Sequence, residues 1–169
     1  QALRQPGSAF KPFVYLAGRD NGVTPGTLIL DAPFVLDQGP GRRKWKPANY
    51  SKKFYGASPM RVGIEKSRNL MTVRLARAIG MKTISEYAGR FDIMQNMPWQ
   101  LSMSLGAGET ALLRLTAAYA MLVNGGKRVA PTFIDRIQDR NGKTVFRHDS
   151  RPCEGCVVDE WRNDPVPLV

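Results

Sequence analysis

The residues best suited to chemistry lie near the start of the chain, in Gln5-Pro6-Gly7-Ser8-Ala9-Phe10-Lys11-Pro12-Phe13. A serine hydroxyl is a weak nucleophile until a neighbouring base takes its proton, and a neutral lysine amine can be that base. Ser8 and Lys11 stand three positions apart, and residues at that spacing share one face of a helix. Pro12 restricts where such a helix begins, because proline is tolerated only in the first turn. Pro6-Gly7 before it reads as a turn. Ser8 then falls at the positive end of a helix, whose field disfavours a protonated amine, as does burial beside Phe10 and Phe13. The same residues also describe a surface helix capped by serine, so Ser-x-x-Lys alone does not assign a function.

A second motif, Ser67-Arg68-Asn69, offers another hydroxyl and a side-chain amide. Cys153 and Cys156, in Arg151-Pro152-Cys153-Glu154-Gly155-Cys156, fit a tight disulfide, a redox pair or half of a zinc site. The single histidine, His148, leaves a zinc site short of ligands, and no βαβ pattern frames a redox motif. Neither a metal nor a cofactor is assigned. Residues 102–110 are glycine-rich but lack the Gly-Lys-Ser/Thr ending of a phosphate loop.

The 169 residues suit about one domain, and 43% hydrophobic content is enough for a core. The formal charge of +11 calls for anionic surroundings: nucleic acid, anionic lipid or an acidic polymer. Residues 38–57 concentrate that charge, with Trp45, Tyr50, Phe54 and Tyr55 interleaved among lysines and arginines. That composition fits a single-stranded nucleic-acid groove, or a solvated loop whose aromatics pin it to the domain. No run of about 18 apolar residues reads as a membrane span.

Apolar periodicity predicts a buried helix from Ser8 to about Gly18, then short extended pieces between Thr24 and Asp37. Ser58-Pro59 reads as an N-cap and first helical residue of a short helix, which stops at residues 67–69. A second helix follows to Gly80, so Ser67 and Asn69 fall between two helices. Thr83-Ile84-Ser85-Glu86 reads as a capping box. Residues 111–123, apolar nearly all round, predict a buried helix. Residues 133–147 alternate around Asn141-Gly142 and predict a hairpin with a type I′ turn. From His148 to Val169 the chain reads as a proline-rich loop or tail.

Ser8-Ala9-Phe10-Lys11 followed by Ser67-Arg68-Asn69 resembles the active-site set of penicillin-binding proteins and serine β-lactamases. Further blocks narrow the resemblance to the transpeptidase domain of class A penicillin-binding proteins: residues 4–13, Trp45-Lys46-Pro47-Ala48-Asn49-Tyr50, residues 67–76, Ser104-Leu105-Gly106-Ala107-Gly108-Glu109 and residues 118–126. It spans residues 3–147, and implies the mainly helical part of an α+β transpeptidase domain with a short hairpin and most of its central sheet absent. Residues 1–147 are then a partial domain and 148–169 its tail.

The resemblance implies that Ser8 attacks the D-Ala-D-Ala carbonyl of a peptidoglycan stem peptide and Lys11 takes its proton. Ser67 would relay the proton to the leaving amine, Asn69 would hold the substrate amide and orient Lys11, and the Ser8 N–H would form half of an oxyanion hole. Expected partners are stem peptides, β-lactam antibiotics and other cell-wall synthesis proteins, with no nucleic acid. The expected location is the periplasmic face of the bacterial inner membrane, held by an anchor upstream of this chain. A β-lactam sensor or β-lactamase on the same scaffold is the alternative within enzymes, and a basic nucleic-acid-binding module the alternative outside them. The family's third motif, Lys-Thr/Ser-Gly, is missing: Lys82-Thr83-Ile84 and Lys143-Thr144-Val145 both lack the glycine. An internal piece of a longer protein is therefore expected.

Overall fold

The computed structural model describes residues 2–148, so the Cys153/Cys156 pair lies outside the described residues. Five helices carry the fold: α1 (Lys11–Asp20), α2 (Met60–Glu65), α3 (Asn69–Ile79), α4 (Met81–Arg90) and α5 (Leu112–Val123). Strands occur only as antiparallel pairs among these residues. β1 (Leu3–Arg4) pairs with β4 (Thr110–Ala111), β2 (Leu28–Asp31) with β3 (Gly56–Pro59), and β5 (Arg136–Gln138) with β6 (Thr144–Arg147). This is the expected α+β, mainly helical architecture.

α1 is the central element because its apolar residues recur on more than one side. Phe13, Val14 and Ala17 are fully buried and Tyr15 nearly so, and α1 packs against both α3 and α4. The Phe13 ring meets Phe91 and Tyr119 edge-on, with centroids 5.2 and 5.4 Å away. Burying a side chain of this size contributes about 1.5–3 kcal/mol. Close approach of the helices needs small residues: a Cβ on Gly63 of α2 would lie 2.4 Å from the Tyr15 hydroxyl.

Several local expectations need correction. The segment from Gly7 to Phe10 is a 3₁₀ turn, and α-helical bonding begins only at Lys11, which puts Pro12 in the first α-turn. Ser58 and Pro59 belong to β3, paired with Ile29 and Leu28, so α2 starts at Met60. Thr83 does not cap a helix. It lies inside α4, its hydroxyl donating to the Ile79 carbonyl at 3.2 Å, while Gly80 at φ +87° ends α3 and begins α4. Glycine meets that conformation without the Cβ clash that other residues suffer.

α5 is buried on one side only: Ala117, Ala118 and Met121 face the core, whereas Leu112 and Val123 are 77% and 90% exposed. The hairpin forms, but its turn is Asp139-Arg140-Asn141-Gly142, with Gly142 alone at positive φ (+82°). Asp139 explains the difference from type I′. Its Oδ1 accepts from the Asn141 and Lys143 N–H groups at 2.8 and 3.0 Å, an Asx turn that holds Asn141 in right-handed backbone.

Candidate active site

Two turns from distant parts of the chain meet under one cleft. The first is the 3₁₀ turn Gly7–Phe10, in which residues i and i+3 eclipse, so Ser8 and Lys11 share a face. Ser8 is exposed, whereas Lys11 is only 2% exposed. Gly7 takes φ +55°, and its N–H donates to the Gly106 carbonyl at 3.1 Å. Gly106 is itself at φ +73°, and a Cβ there would lie 2.1 Å from the Gly7 oxygen. The Tyr119 hydroxyl of α5 donates to the Ala9 carbonyl at 2.8 Å. The Ser104–Glu109 block and α5 therefore hold the backbone on either side of Ser8.

The second turn links α2 to α3. The Ser67 N–H donates to Ile64 O at 3.2 Å and the Arg68 N–H to Gly63 O at 2.8 Å, the paired bonds of a Schellman helix end. The left-handed residue of that motif is usually glycine. Here it is Ser67, at φ +52°, a conformation that costs a non-glycine residue about 1–2 kcal/mol and is kept where the surroundings demand it. The conformation points both the Ser67 hydroxyl and its carbonyl towards α1, and Asn69 begins α3.

Lys11 joins the two turns. Its Nζ donates to Ser67 O at 2.8 Å, Ser67 Oγ at 2.9 Å and Asn69 Oδ1 at 2.6 Å. Three acceptors match the three N–H bonds of an ammonium, so this geometry holds the protonated amine. Burial lowers its pKa from 10.5 to about 8. Burial thus brings the neutral amine, the form in which Lys11 can accept a proton, closer to neutral pH. Asn69 cannot turn freely, because its Nδ2 donates to Ala48 O at 2.8 Å and so presents Oδ1 to the lysine.

Ser8, Ser67 and Asn69 line a cleft of about 440 Å³ together with Asn49, Tyr50, Ser51, Lys66 and Arg68. All four residues singled out in the sequence thus converge, with Lys11 beneath the cleft floor. Lys143 and Thr144 do not join them: Thr144 opens β6, all of whose residues are exposed. In the basic loop, Trp45 is pinned by paired backbone bonds to Leu36 at 2.9 Å each and by an edge-on contact with Phe34. Arg68 lies 3.4 Å over the Tyr55 ring. These two rings anchor the loop, while Tyr50 projects fully into solvent at the cleft.

The model of the penicillin binding protein transpeptidase domain matches residues 1–160. The chain belongs to the penicillin-binding protein transpeptidase family. It is 51% identical over 160 residues to penicillin-binding protein 1A of Rickettsia bellii, which covers 95% of this chain and 20% of that protein. Against penicillin-binding protein 1A of Neisseria meningitidis serogroup B the identity is 41% over 145 residues, 85% of this chain and 18% of the relative. The crystal structure of penicillin-binding protein 1A from Haemophilus influenzae superposes with a TM-score of 0.82 at 33% identity, covering 87% of this chain and 22% of that one. The chain thus spans about a fifth of the length of the relatives it matches.

Reasoning from sequence missed Asp31, and it quoted Gly106 and Asn49 within matched blocks without giving either a role. A single acidic residue closing the apolar run Leu28-Ile29-Leu30 was the available signal for Asp31, since carboxylates rarely go inside without a partner.

Proposed function

We propose that this chain carries the acylation apparatus of a peptidoglycan D,D-transpeptidase. The Ser8 Oγ attacks the carbonyl of the penultimate D-Ala of a stem peptide. Lys11, once neutral, accepts the hydroxyl proton, and Ser67 passes its own hydroxyl proton to the departing D-Ala nitrogen as the C–N bond breaks, taking a replacement from the Lys11 ammonium 2.9 Å away. The product is a seryl ester. The amine of a second stem peptide then attacks that ester, forming the cross-link amide and returning the proton to the Ser8 oxygen. Asn69 keeps Lys11 oriented and meets the substrate amide, and the Ser8 N–H contributes to the oxyanion hole.

The observation that carries this reading is the convergence of Lys11 Nζ on Ser67 Oγ and Asn69 Oδ1 one helical step from an exposed Ser8. The relatives' name records penicillin binding, which for a seryl transpeptidase corresponds to a β-lactam acylating the nucleophile in place of the stem peptide. The periplasmic face of the inner membrane and an anchor outside this chain belong to the same reading. No helix of the described residues is long and apolar enough to cross a membrane.

The test is covalent labelling by a fluorescent penicillin, located by peptide mapping, in the full-length protein and in the isolated chain. Label on the peptide containing Ser8, abolished by Ser8→Ala, is expected from the full-length protein. The isolated chain, without a Lys-Thr/Ser-Gly motif, should label weakly or not at all. A full-length protein that takes no label at Ser8 would overturn the reading.

A further inference from the structure

Asp31 closes β2 with no exposed surface, an expensive place for a carboxylate unless its oxygens are used. Its Oδ1 accepts from Asn49 Nδ2 at 2.7 Å. The same nitrogen donates to Lys53 O at 3.0 Å, so both amide protons of Asn49 are committed. Its Oδ1 is therefore forced towards α3, where it accepts from the Leu70 N–H at 3.3 Å, one of the first N–H groups of a helix, which have no partner within it. Asn49 thus caps α3 from another part of the chain, and Asp31 decides which way its amide points. The neighbouring Ala48 carbonyl fixes the Asn69 amide by accepting from Nδ2.

The other carboxylate oxygen, Asp31 Oδ2, faces Arg68 Nε at 3.8 Å. Both atoms are buried and without a hydrogen-bond partner among the described residues. Arg68 stands between Ser67 and Asn69 and lies flat over Tyr55. From α3, Arg74 holds the backbone after Asp31 by donating to Ala32 O and Pro33 O at 2.7 and 2.8 Å. One buried carboxylate thus touches, through Asn49 and Arg68, both sides of the turn that presents Ser67 and Asn69 to Lys11.

We propose that Asp31 and Asn49 are positioning residues of the acyl-transfer site, holding residues 48–49 against the start of α3 so that the Asn69 oxygen and the Ser67 turn face Lys11. They do not touch the reacting atoms. The inference rests on the acylation reading above. Without Asn49 the Ala48 carbonyl is no longer held, and the Asn69 amide can turn its NH₂ towards the lysine. The ammonium then loses an acceptor and gains an opposing donor. Lys11 faces neutral acceptors from Ser67 and Asn69, and burial is what lowers its pKa, so losing one acceptor moves its titration further down.

The test uses Asp31→Asn, Asn49→Ala and the exchanged pair Asp31→Asn/Asn49→Asp in the full-length protein. Three quantities are read: the rate constant for penicillin acylation at Ser8, its pH midpoint, and the Lys11 Nζ titration by NMR on ¹⁵N-lysine protein, assigned by its loss in Lys11→Met. Each single substitution is expected to slow acylation about 10- to 100-fold, as misplacement of a catalytic group by about 1 Å does. Both pH readouts should move to lower pH, and the exchanged pair should recover part of the rate. Folded variants with unchanged rate and Lys11 titration would overturn the proposal. So would a rate loss that matches the unfolded fraction while the titration stays in place. The NMR readout does not depend on acylation, so an unlabelled Ser8 defeats the acylation reading while the positioning of Lys11 is still decided.

Discussion

The cleft and the β5–β6 hairpin handle backbone strain and polar groups in opposite ways. In the hairpin turn the polar side chains that bond do so close in sequence: Asp139 serves the N–H groups of Asn141 and Lys143, and Gly142 supplies the positive φ. At the cleft the partners are more than 55 residues apart, Lys11 with Ser67 and Asn69, and a serine takes the left-handed position. The hairpin obtains a turn from local residues at little cost, whereas the cleft keeps a buried cation and a strained serine in place through packing from elsewhere. Stability and chemistry are thus drawn from different regions, as expected where a site conflicts with local preference.

Lys11→Met gives the largest contrast. Acylation should fall by roughly 10²–10⁴-fold, the contribution of a positioned general base, while stability changes far less, because the gain from no longer burying a charge offsets the three acceptors left without their donor. A variant that acylates within a few-fold of the parent would remove Lys11 from the mechanism.

Glycine-to-alanine substitution compares the regions directly. Gly106→Ala meets both a positive φ and a Cβ only 2.1 Å from the Gly7 oxygen, so the Ser8 turn must shift. A loss of about 3 kcal/mol or more is expected from strain and clash together, with slowed acylation. Gly142→Ala carries the same conformational cost of about 1–2 kcal/mol, but its Cβ would point into open space, and acylation should not change. Urea melts of the two variants, read beside penicillin labelling, would break the comparison if the order reversed.

pH separates the two kinds of cost. Lys11 titrates at about 8 in the folded chain against 10.5 when unfolded. Between those values the unfolded state binds more protons, so this group makes stability rise with pH from 8 towards 10.5 and lowers it at all pH below 8. Tyr15 acts in the opposite direction, since burial raises its pKa from 10.0 to about 12. The folded state then holds the extra proton, and stability falls as pH climbs from 10 to 12. Denaturation midpoints should thus climb above pH 8 and turn down beyond 10, and Lys11→Met should flatten only the climb. With Lys11 as the base proposed for acylation, labelling at Ser8 should rise through a midpoint near 8.

Spacing made part of this arrangement legible in the sequence, and the family resemblance supplied the roles of Ser67 and Asn69. Ser8 to Lys11 is one helical step, and Phe13, Val14 and Ala17 report a buried face by period alone. The misread elements were settled by contacts that spacing does not encode. The sequence places Ser67 between two helices, but its left-handed backbone shows only where the Gly63 and Ile64 carbonyls close a helix end around it. Thr83 meets the capping pattern, yet Gly80 had already started the helix. α5 has an apolar sequence, but burial depends on what lies opposite, and nothing in Leu112 or Val123 reports that.

α5 carries the comparison to its smallest effects, because one helix has both an anchored side and an open one. On the anchored side, Met121→Ala should cost about 2–5 kcal/mol through the cavity it leaves. Tyr119→Phe removes only the bond to the Ala9 carbonyl, about 0.5–1.5 kcal/mol, yet slows acylation because that carbonyl belongs to the Ser8 turn. On the open side, Val123→Lys should change the stability of the isolated chain by less than about 0.5 kcal/mol, the usual range for surface positions. Thermal melts of the three variants test the order. If Val123→Lys were as damaging as Met121→Ala, the outer face of α5 would have to be covered in solution, and the helix would be the buried element that its composition suggests.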